Sequence, residues 1–240
     1  MVPDTESLQT VAESLCATAR WCYTQGWVPA TSGNFSVRVN GRILITASGL
    51  DKGTLKTEDL LEVDGSGHVL SGAGRPSAET GLHLVLYRAR PQAGAILHVH
   101  TVWNTLISAR HAPRGYVPIE GYELLKGLSG VTSHAYIERV PILENSQDYE
   151  DLATQLEMAL KAHPHAHGVL LSRHGGFILG DNRWPRHGAT WRPWSFSLRS
   201  KRDGCWAANA RAGCRNDFRP ARRCPSGAKA PGCLQLLWRS

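Results

Sequence analysis

The 240 residues carry a formal charge of +7, but it is not spread along the chain. Residues 1–180 hold 14 Lys+Arg against 17 Asp+Glu, a net of −3, whereas residues 181–240 hold 13 against 3, a net of +10. This excludes an evenly basic nucleic-acid or membrane-surface protein, whose positive field would run through the folded body. The length suits one substantial α/β domain with a tail.

The elements come in a readable order. Residues 5–24 place Leu8, Val11, Ala12, Leu15 and Ala19 on one stripe, the period of an amphipathic helix. Cys16 and Cys22 fall in this segment and read as buried thiols of a reduced protein. "GNFSVRV" and "RILITAS" are strand-like and flank "NGR", a hairpin turn signal. After the turn-rich "VDGSGHVLSG", "RPSAETGLHLVLYRAR" reads as a helix that Ser77 can cap, with Glu79 in its first turn. "AGAILHVHT" is a short buried strand and "VWNTLISAR" a helix directly after it. "YVPIEGYELLKGL" and the strand "ERVPIL" follow. The helical run 148–162 counts Leu152, Leu156, Met158 and Leu160 among its apolar positions. "HGVLLS" and "GGFILG" then flank Arg173 and His174. Strands and helices interleave, yet several strands are joined by tight turns. That pattern predicts a mixed, largely antiparallel sheet covered by helices rather than an all-parallel doubly wound fold.

No stretch reaches the roughly 18 apolar residues of a membrane span. The first twenty residues lack the continuous apolar run of a secretory leader. The expectation is a cytoplasmic protein with no membrane partner.

The chemistry concentrates on histidine. His98 and His100 are two apart in "ILHVHT", which on a strand puts both imidazoles on one face. Such a pair suits a first-row metal, although two histidines on a polar sheet face would look the same. His174 lies between two strand-like runs, followed by glycines that let the backbone approach something closely. Three neutral histidines with an open position make a catalytic rather than structural metal site. His163, His165 and His167 alternate in a Pro-containing connection and read as a solvated loop. Glu79 and Glu123 are the two carboxylates placed to work beside a metal, each with a plain helical alternative. The turns "TSGN", "TASG" and "RPSA" offer hydroxyls and free N–H groups of the kind a phosphate needs.

"PATSGNFSVR", "ITASG", "RPSAE", "ILHVHT" and "LLSRHG", in that order, resemble the class II aldolase superfamily of metal-dependent sugar-phosphate enzymes. "EGYELLKGL" and "VPILENSQD" resemble, within it, the branch that dehydrates methylthioribulose 1-phosphate in methionine salvage. The resemblance covers roughly residues 5–181. It implies a three-layer α-β-α fold, with one zinc ion per subunit held by His98, His100 and His174. Glu123 would be the acid/base of the dehydratase branch, and Glu79 matches the catalytic glutamate of the aldolases. Gly33, Asn34, Ser48, Gly49 and Ser77 would bind phosphate, and Lys52 beside the second turn could assist by its charge. The implied reaction converts 5-methylthioribulose 1-phosphate to 2,3-diketo-5-methylthiopentyl 1-phosphate and water. Retro-aldol cleavage of a ketose 1-phosphate is the nearest alternative. The resemblance also implies a homo-oligomer, a tetramer, with a small-molecule sugar phosphate as the only partner.

The chain departs from this pattern near its end. The family continues into a long terminal helix, but residues 182–240 are basic and rich in Trp, Cys and Pro. Five of the eight tryptophans fall there, as do Pro185, Pro193, Pro220, Pro225 and Pro231, which exclude any long helix. Cys205, Cys214, Cys224 and Cys233 are separated by nine, ten and nine residues, a poor match to zinc-ribbon spacing. A nucleic-acid module would use such basic and aromatic residues, but the irregular cysteines and the abrupt onset in mid-fold argue against it. "WPRHGATWRPWSFS" can be encoded so that a one-base shift reads Leu-Ala-Glu-Ala-Arg-Arg-Asn-Val-Glu-Ala-Leu-Glu-Leu-Leu, which has helical amphipathic spacing. We therefore expect a catalytic domain over residues 1–181 and a frame-shifted, disordered tail over 182–240.

Overall fold

The computed structural model describes residues 7–181. The expected tail over 182–240 lies outside the described residues, as does the very start of the chain.

Helix α1 (Leu8–Thr24) opens the fold, and the Ser7 side chain accepts the N–H of Thr10 at its N-terminus. Of its expected stripe, Val11, Ala12, Leu15 and Ala19 are buried with Cys16 and Cys22, while Leu8 stays exposed at 40%. Both thiols are free, and burial raises their pKa values, to about 11 for Cys16 and about 12 for Cys22. They are inert packing groups, as the sequence suggests.

Strands β1 (Asn34–Val39) and β2 (Arg42–Thr46) form the expected hairpin. Its turn residues Asn40 and Gly41 both have positive φ, 50° and 80°, the primed geometry that matches strand twist. Strands β3 (Leu60–Val63) and β4 (Val69–Ser71) extend this half of the sheet. Helix α2 (Thr80–Ala89), strand β5 (Ala93–Val99) and helix α3 (Val102–His111) follow in sequence. The second half holds β6 (Tyr116–Ile119), β7 (Glu138–Leu143), helix α4 (Tyr149–Ala162), β8 (Gly168–Leu171) and β9 (Gly176–Asp181).

The nine strands make one sheet in the order β4-β3-β2-β1-β5-β9-β8-β7-β6. Every neighbouring pair is antiparallel except β7 with β8. The sheet is therefore mixed and largely antiparallel, as expected. Side-chain alternation gives it two apolar faces. On one face Phe35, Val37, Ala95, Leu97 and Val99 pack with α1 and with Ile107 of α3. On the other, Ile43, Ile45, Ile96 and Phe177 pack under α2 and α4. Full burial of a large apolar side chain contributes about 1.5–3 kcal/mol, so two continuous faces hold all three layers together. In α4 the buried residues are Leu152, Leu156 and Leu160, while Met158 is 66% exposed. Met158 was expected in the apolar set, but two residues after Leu156 it points away from that face.

One end of the central strands becomes the site. Asn34 at the start of β1 pairs in register with His98 near the end of β5, and His98 pairs with Phe177 of β9. The hairpin between β8 and β9 carries His174 to the same end.

Candidate metal centre and active site

His98 lies on β5, His174 in the turn between β8 and β9, and His100 just past the end of β5. There the backbone turns into α3, which Thr101 caps by accepting the N–H of Asn104. The His100 N–H is held by the Trp27 carbonyl at 2.8 Å. His174 sits in the tight β8–β9 connection, where Arg173 has a positive φ of 59°. Only glycine fits next to it: a Cβ on Gly175 would lie 2.4 Å from the Val99 carbonyl oxygen. The two glycines after His174 thus let its hairpin press against β5.

The three rings meet. Their centroids are 4.6 Å apart for His98–His100, 4.5 Å for His100–His174 and 5.2 Å for His98–His174. One ligand nitrogen from each lies within 4.8 Å of the others. His98 is fully buried, stacked on Phe177, and neither ring nitrogen has a hydrogen bond of normal geometry. Buried nitrogens without a partner are costly unless something else binds them, which is what a metal would do. Burial, then the neighbouring imidazoles, push the His98 pKa well below its ordinary value, although the Gly176 main chain opposes this. Burial first and then His174 and Lys52 bring His100 down to about 4. Both are neutral donors at physiological pH, as metal ligation requires. The His174 Nδ1 faces Asn145 Oδ1 at 3.2 Å, which leaves Nε2 turned to the cluster.

Glu79 belongs to this centre. Its Oε2 is 3.3 Å from His98 Nε2 and its Oε1 is 3.9 Å from His174 Nε2. The sequence places it in the first turn of a helix, but it precedes α2 as the N-cap residue and makes no cap bond. The Ser77 hydroxyl accepts the Glu79 N–H, and the side chain turns inward. Burial raises its pKa, while a hydrogen bond from Asn34 and the nearby His174 hold it down.

The three polar turns converge beside the cluster. Gly33, Asn34, Ser48, Gly49 and Ser77 line one pocket of about 150 Å³ together with Lys52, Glu79 and His100. Gly33 has φ 73°, and a Cβ there would collide with Val28 and the His98 carbonyl. Lys52 is buried, donates to the Thr31 and Leu50 carbonyls, and has its pKa lowered by burial to about 8. A larger pocket of about 250 Å³, lined by Gln92, Gly130, His165 and Asp181 among others, includes none of the three histidines.

Glu123 is not brought to the cluster. It opens the short 3₁₀ segment Glu123–Gly127, its side chain is 71% exposed, and its ionic partners are Lys126 and His134. The Lys126 ammonium holds its pKa below the usual glutamate value. His167 also departs from the solvated-loop reading. It is half-buried against Glu138, a fully buried carboxylate, and meets the Ser129 carbonyl at 2.8 Å.

Ser36, His83, Tyr87 and Asn145 were not foreseen, whereas Asn34 was expected only as a phosphate contact. Asn34 donates to Glu79 and faces His83, which contacts Ser36, which in turn contacts Tyr87. The signal was present as spacing: His83 lies four residues after Glu79, Tyr87 four after His83, and Ser36 two after Asn34. Asn145 carried no such pattern.

This end of the sheet joins three histidines able to hold a metal ion to a pocket lined by polar turns. Residues 13–184 match the model of the Class II Aldolase and Adducin N-terminal domain, and the chain belongs to that family. It is 42% identical over 178 residues to the methylthioribulose-1-phosphate dehydratase of Sorangium cellulosum, covering 73% of this chain and 84% of the relative. It is 45% identical over 178 residues to the enzyme of that name from Methylococcus capsulatus, covering 74% and 85%. Among solved structures it resembles L-fuculose-1-phosphate aldolase from Thermus thermophilus, with TM-score 0.61 and 28% identity over 80% of this chain and 92% of that one. Among the described residues no helix is long and apolar enough to cross a membrane.

Proposed function

We propose that this chain is a zinc-dependent dehydratase of 5-methylthioribulose 1-phosphate, acting in methionine salvage in the cytoplasm. The observation that carries the reading is the joining of a three-histidine cluster and the phosphate-type pocket through Glu79, in a chain more than 40% identical to dehydratases of that name.

The residues divide the work. His98, His100 and His174 would hold the metal; the neutrality of His98 and His100 and the convergence of all three rings fit zinc, as does the lack of a hydrogen bond of normal geometry at the His98 ring nitrogens. Zinc bound there supplies Lewis acidity toward a ketone oxygen. Gly33, Asn34, Ser48, Gly49 and Ser77 bind the phosphate, and Lys52 offsets its charge. That binding energy fixes the sugar carbon beside the carboxylate, converting a bimolecular proton transfer into one within the complex.

Glu79 takes the proton from the carbon next to the ketone. Burial makes it a stronger base than a solvated glutamate. Departure of hydroxide from the adjacent carbon needs a proton donor; the family resemblance gives that role to Glu123, and it is proposed on that ground alone, since the side chain lies exposed and paired with Lys126 outside the cluster. The enol then tautomerises to the diketone, 2,3-diketo-5-methylthiopentyl 1-phosphate, with one water released. The working form is a homotetramer, consistent with exposed Val102 and Leu106 on α3 beside the site.

The reading is tested by zinc dependence. Chelation should abolish diketone formation from methylthioribulose 1-phosphate, and one equivalent of zinc per chain should restore it. Equal rates with and without metal would refute it.

A further inference from the structure

A buried polar chain runs from the metal-side carboxylate into the core under α2. Asn34 Nδ2 is 2.8 Å from Glu79 Oε2, and Asn34 Oδ1 is 2.5 Å from His83 Nε2. His83 Nδ1 is 2.7 Å from Ser36 Oγ, which is 3.0 Å from the Tyr87 hydroxyl. His83 and Ser36 are fully buried, and Tyr87 nearly so.

The direction of every bond follows from the chemistry of its two ends. A carboxylate offers only acceptors, so Asn34 must turn its amide N–H toward Glu79. Its carbonyl oxygen then faces His83 and can only accept, so the proton of the neutral ring sits on Nε2. Nδ1 is left with a lone pair and accepts the Ser36 O–H. Ser36, having used its proton, accepts the O–H of Tyr87. Along the chain each group passes one hydrogen to the next, the second Asn34 N–H going to the Ser77 hydroxyl at 3.3 Å, and reversing any link breaks the next. The ring has no room to rotate out of this role, because it packs edge-on against Phe177 at 5.5 Å, the residue on which His98 stacks. Burial keeps the ring neutral, with its pKa lowered to about 3.

We propose that His83 is a positioning residue for Glu79: the Tyr87–Ser36–His83–Asn34 chain fixes which end of the Asn34 amide meets the carboxylate. Oε2 is thereby tied by an N–H, and Oε1 is left free on the side of His174. A flipped amide would set its carbonyl oxygen against the carboxylate and push Glu79 out of the pocket. The reach of this device to catalysis rests on the reading of Glu79 as the proton-transferring carboxylate; its hydrogen-bond polarity does not.

Two measurements on the full, zinc-loaded chain test it. Histidine side-chain ¹⁵N spectra should show one ring, absent in His83→Gln, locked as the neutral Nε2–H tautomer. The Nδ1–H tautomer at His83 would overturn the proposal whether or not the chain turns substrate over. Kinetically, His83→Phe keeps the ring-sized volume but cannot donate to Asn34. It should lower kcat by about 10–100-fold, the usual effect of losing such a supporting partner, with KM within about threefold and zinc still bound one to one. His83→Gln, which can still donate, should recover most of kcat. Wild-type kcat in His83→Phe would overturn the proposal, and so would a parallel loss of zinc, which would mark a merely structural role. A wild-type chain that binds zinc but leaves methylthioribulose 1-phosphate unchanged would refute the dehydratase reading, while the tautomer still decides the network.

Discussion

Glu79 and Glu123 are the same residue type in opposite circumstances. Glu79 is nearly buried, 3.3 Å from His98, while Glu123 is exposed and tied to Lys126. Glu79→Gln keeps the shape and the zinc ligands but cannot accept a proton. We expect kcat to fall by about 10²–10⁴-fold, the ordinary contribution of a positioned base, with zinc content unchanged. Glu123→Gln should also lower kcat. Undiminished turnover in that variant would leave Glu79 as the sole carboxylate at work. His83 supplies a second prediction, in stability rather than rate. Its folded-state pKa is depressed from 6.5 to about 3, so the unfolded chain takes up a proton that the folded one refuses. Its neutral form thus costs nothing above about pH 6.5. As pH falls from there toward 3, this group alone reduces stability by about 1.4 kcal/mol per pH unit. Urea unfolding between pH 7 and 5 should therefore show a shallower decline for His83→Gln than for the wild type. Parallel declines would contradict the assignment.

The β8–β9 hairpin and the end of β5 make the centre possible, and glycine decides their spacing. Gly175→Ala would place a carbon 2.4 Å from the Val99 carbonyl, so the hairpin carrying His174 must retreat. Forcing an extra carbon into such a packed contact costs about 1–3 kcal/mol. We expect a lowered unfolding midpoint and weaker zinc binding, read by denaturation and by metal titration. Retained wild-type zinc affinity would mean that the hairpin is not what sets the ligand geometry. Elements of this sort were largely readable beforehand. The "NGR" turn, the apolar run around His98 and the helix directly after it are local signals, and local chemistry determines them. Glu79 was harder, since a glutamate after "RPSA" suits a helix start. Only the pairing of β1 with β5 shows that Asn34 waits beside it. Burial of Glu138 against His167 was likewise hidden, because it joins residues 29 apart through the meeting of β7 with the turn before β8.

At the scale of the whole molecule, the two apolar faces required a covered sheet, and its order combines local antiparallel pairs, one parallel join and the long-range antiparallel pairs β1–β5 and β5–β9. The strand order itself was not readable, because β1, β5 and β9 become neighbours only through long-range packing. The basic, Trp-rich run from residue 182 lies outside the described residues. The proposal that it is a terminal helix read one base out of frame predicts that reading the gene will expose a single-base change near codons 181–184. Restoring the frame should then raise soluble, tetrameric yield and turnover. If no single-base change opens a helix-coding frame there, the idea fails.

One centre of His98, His100, His174 and Glu79, in this reading, removes water from a sugar phosphate rather than cutting its carbon chain. The direct measurement is the mass of the products formed from methylthioribulose 1-phosphate by the zinc-loaded chain. A single phosphorylated product lighter by one water is the predicted result. Two smaller carbon fragments, the outcome of retro-aldol cleavage, would contradict it.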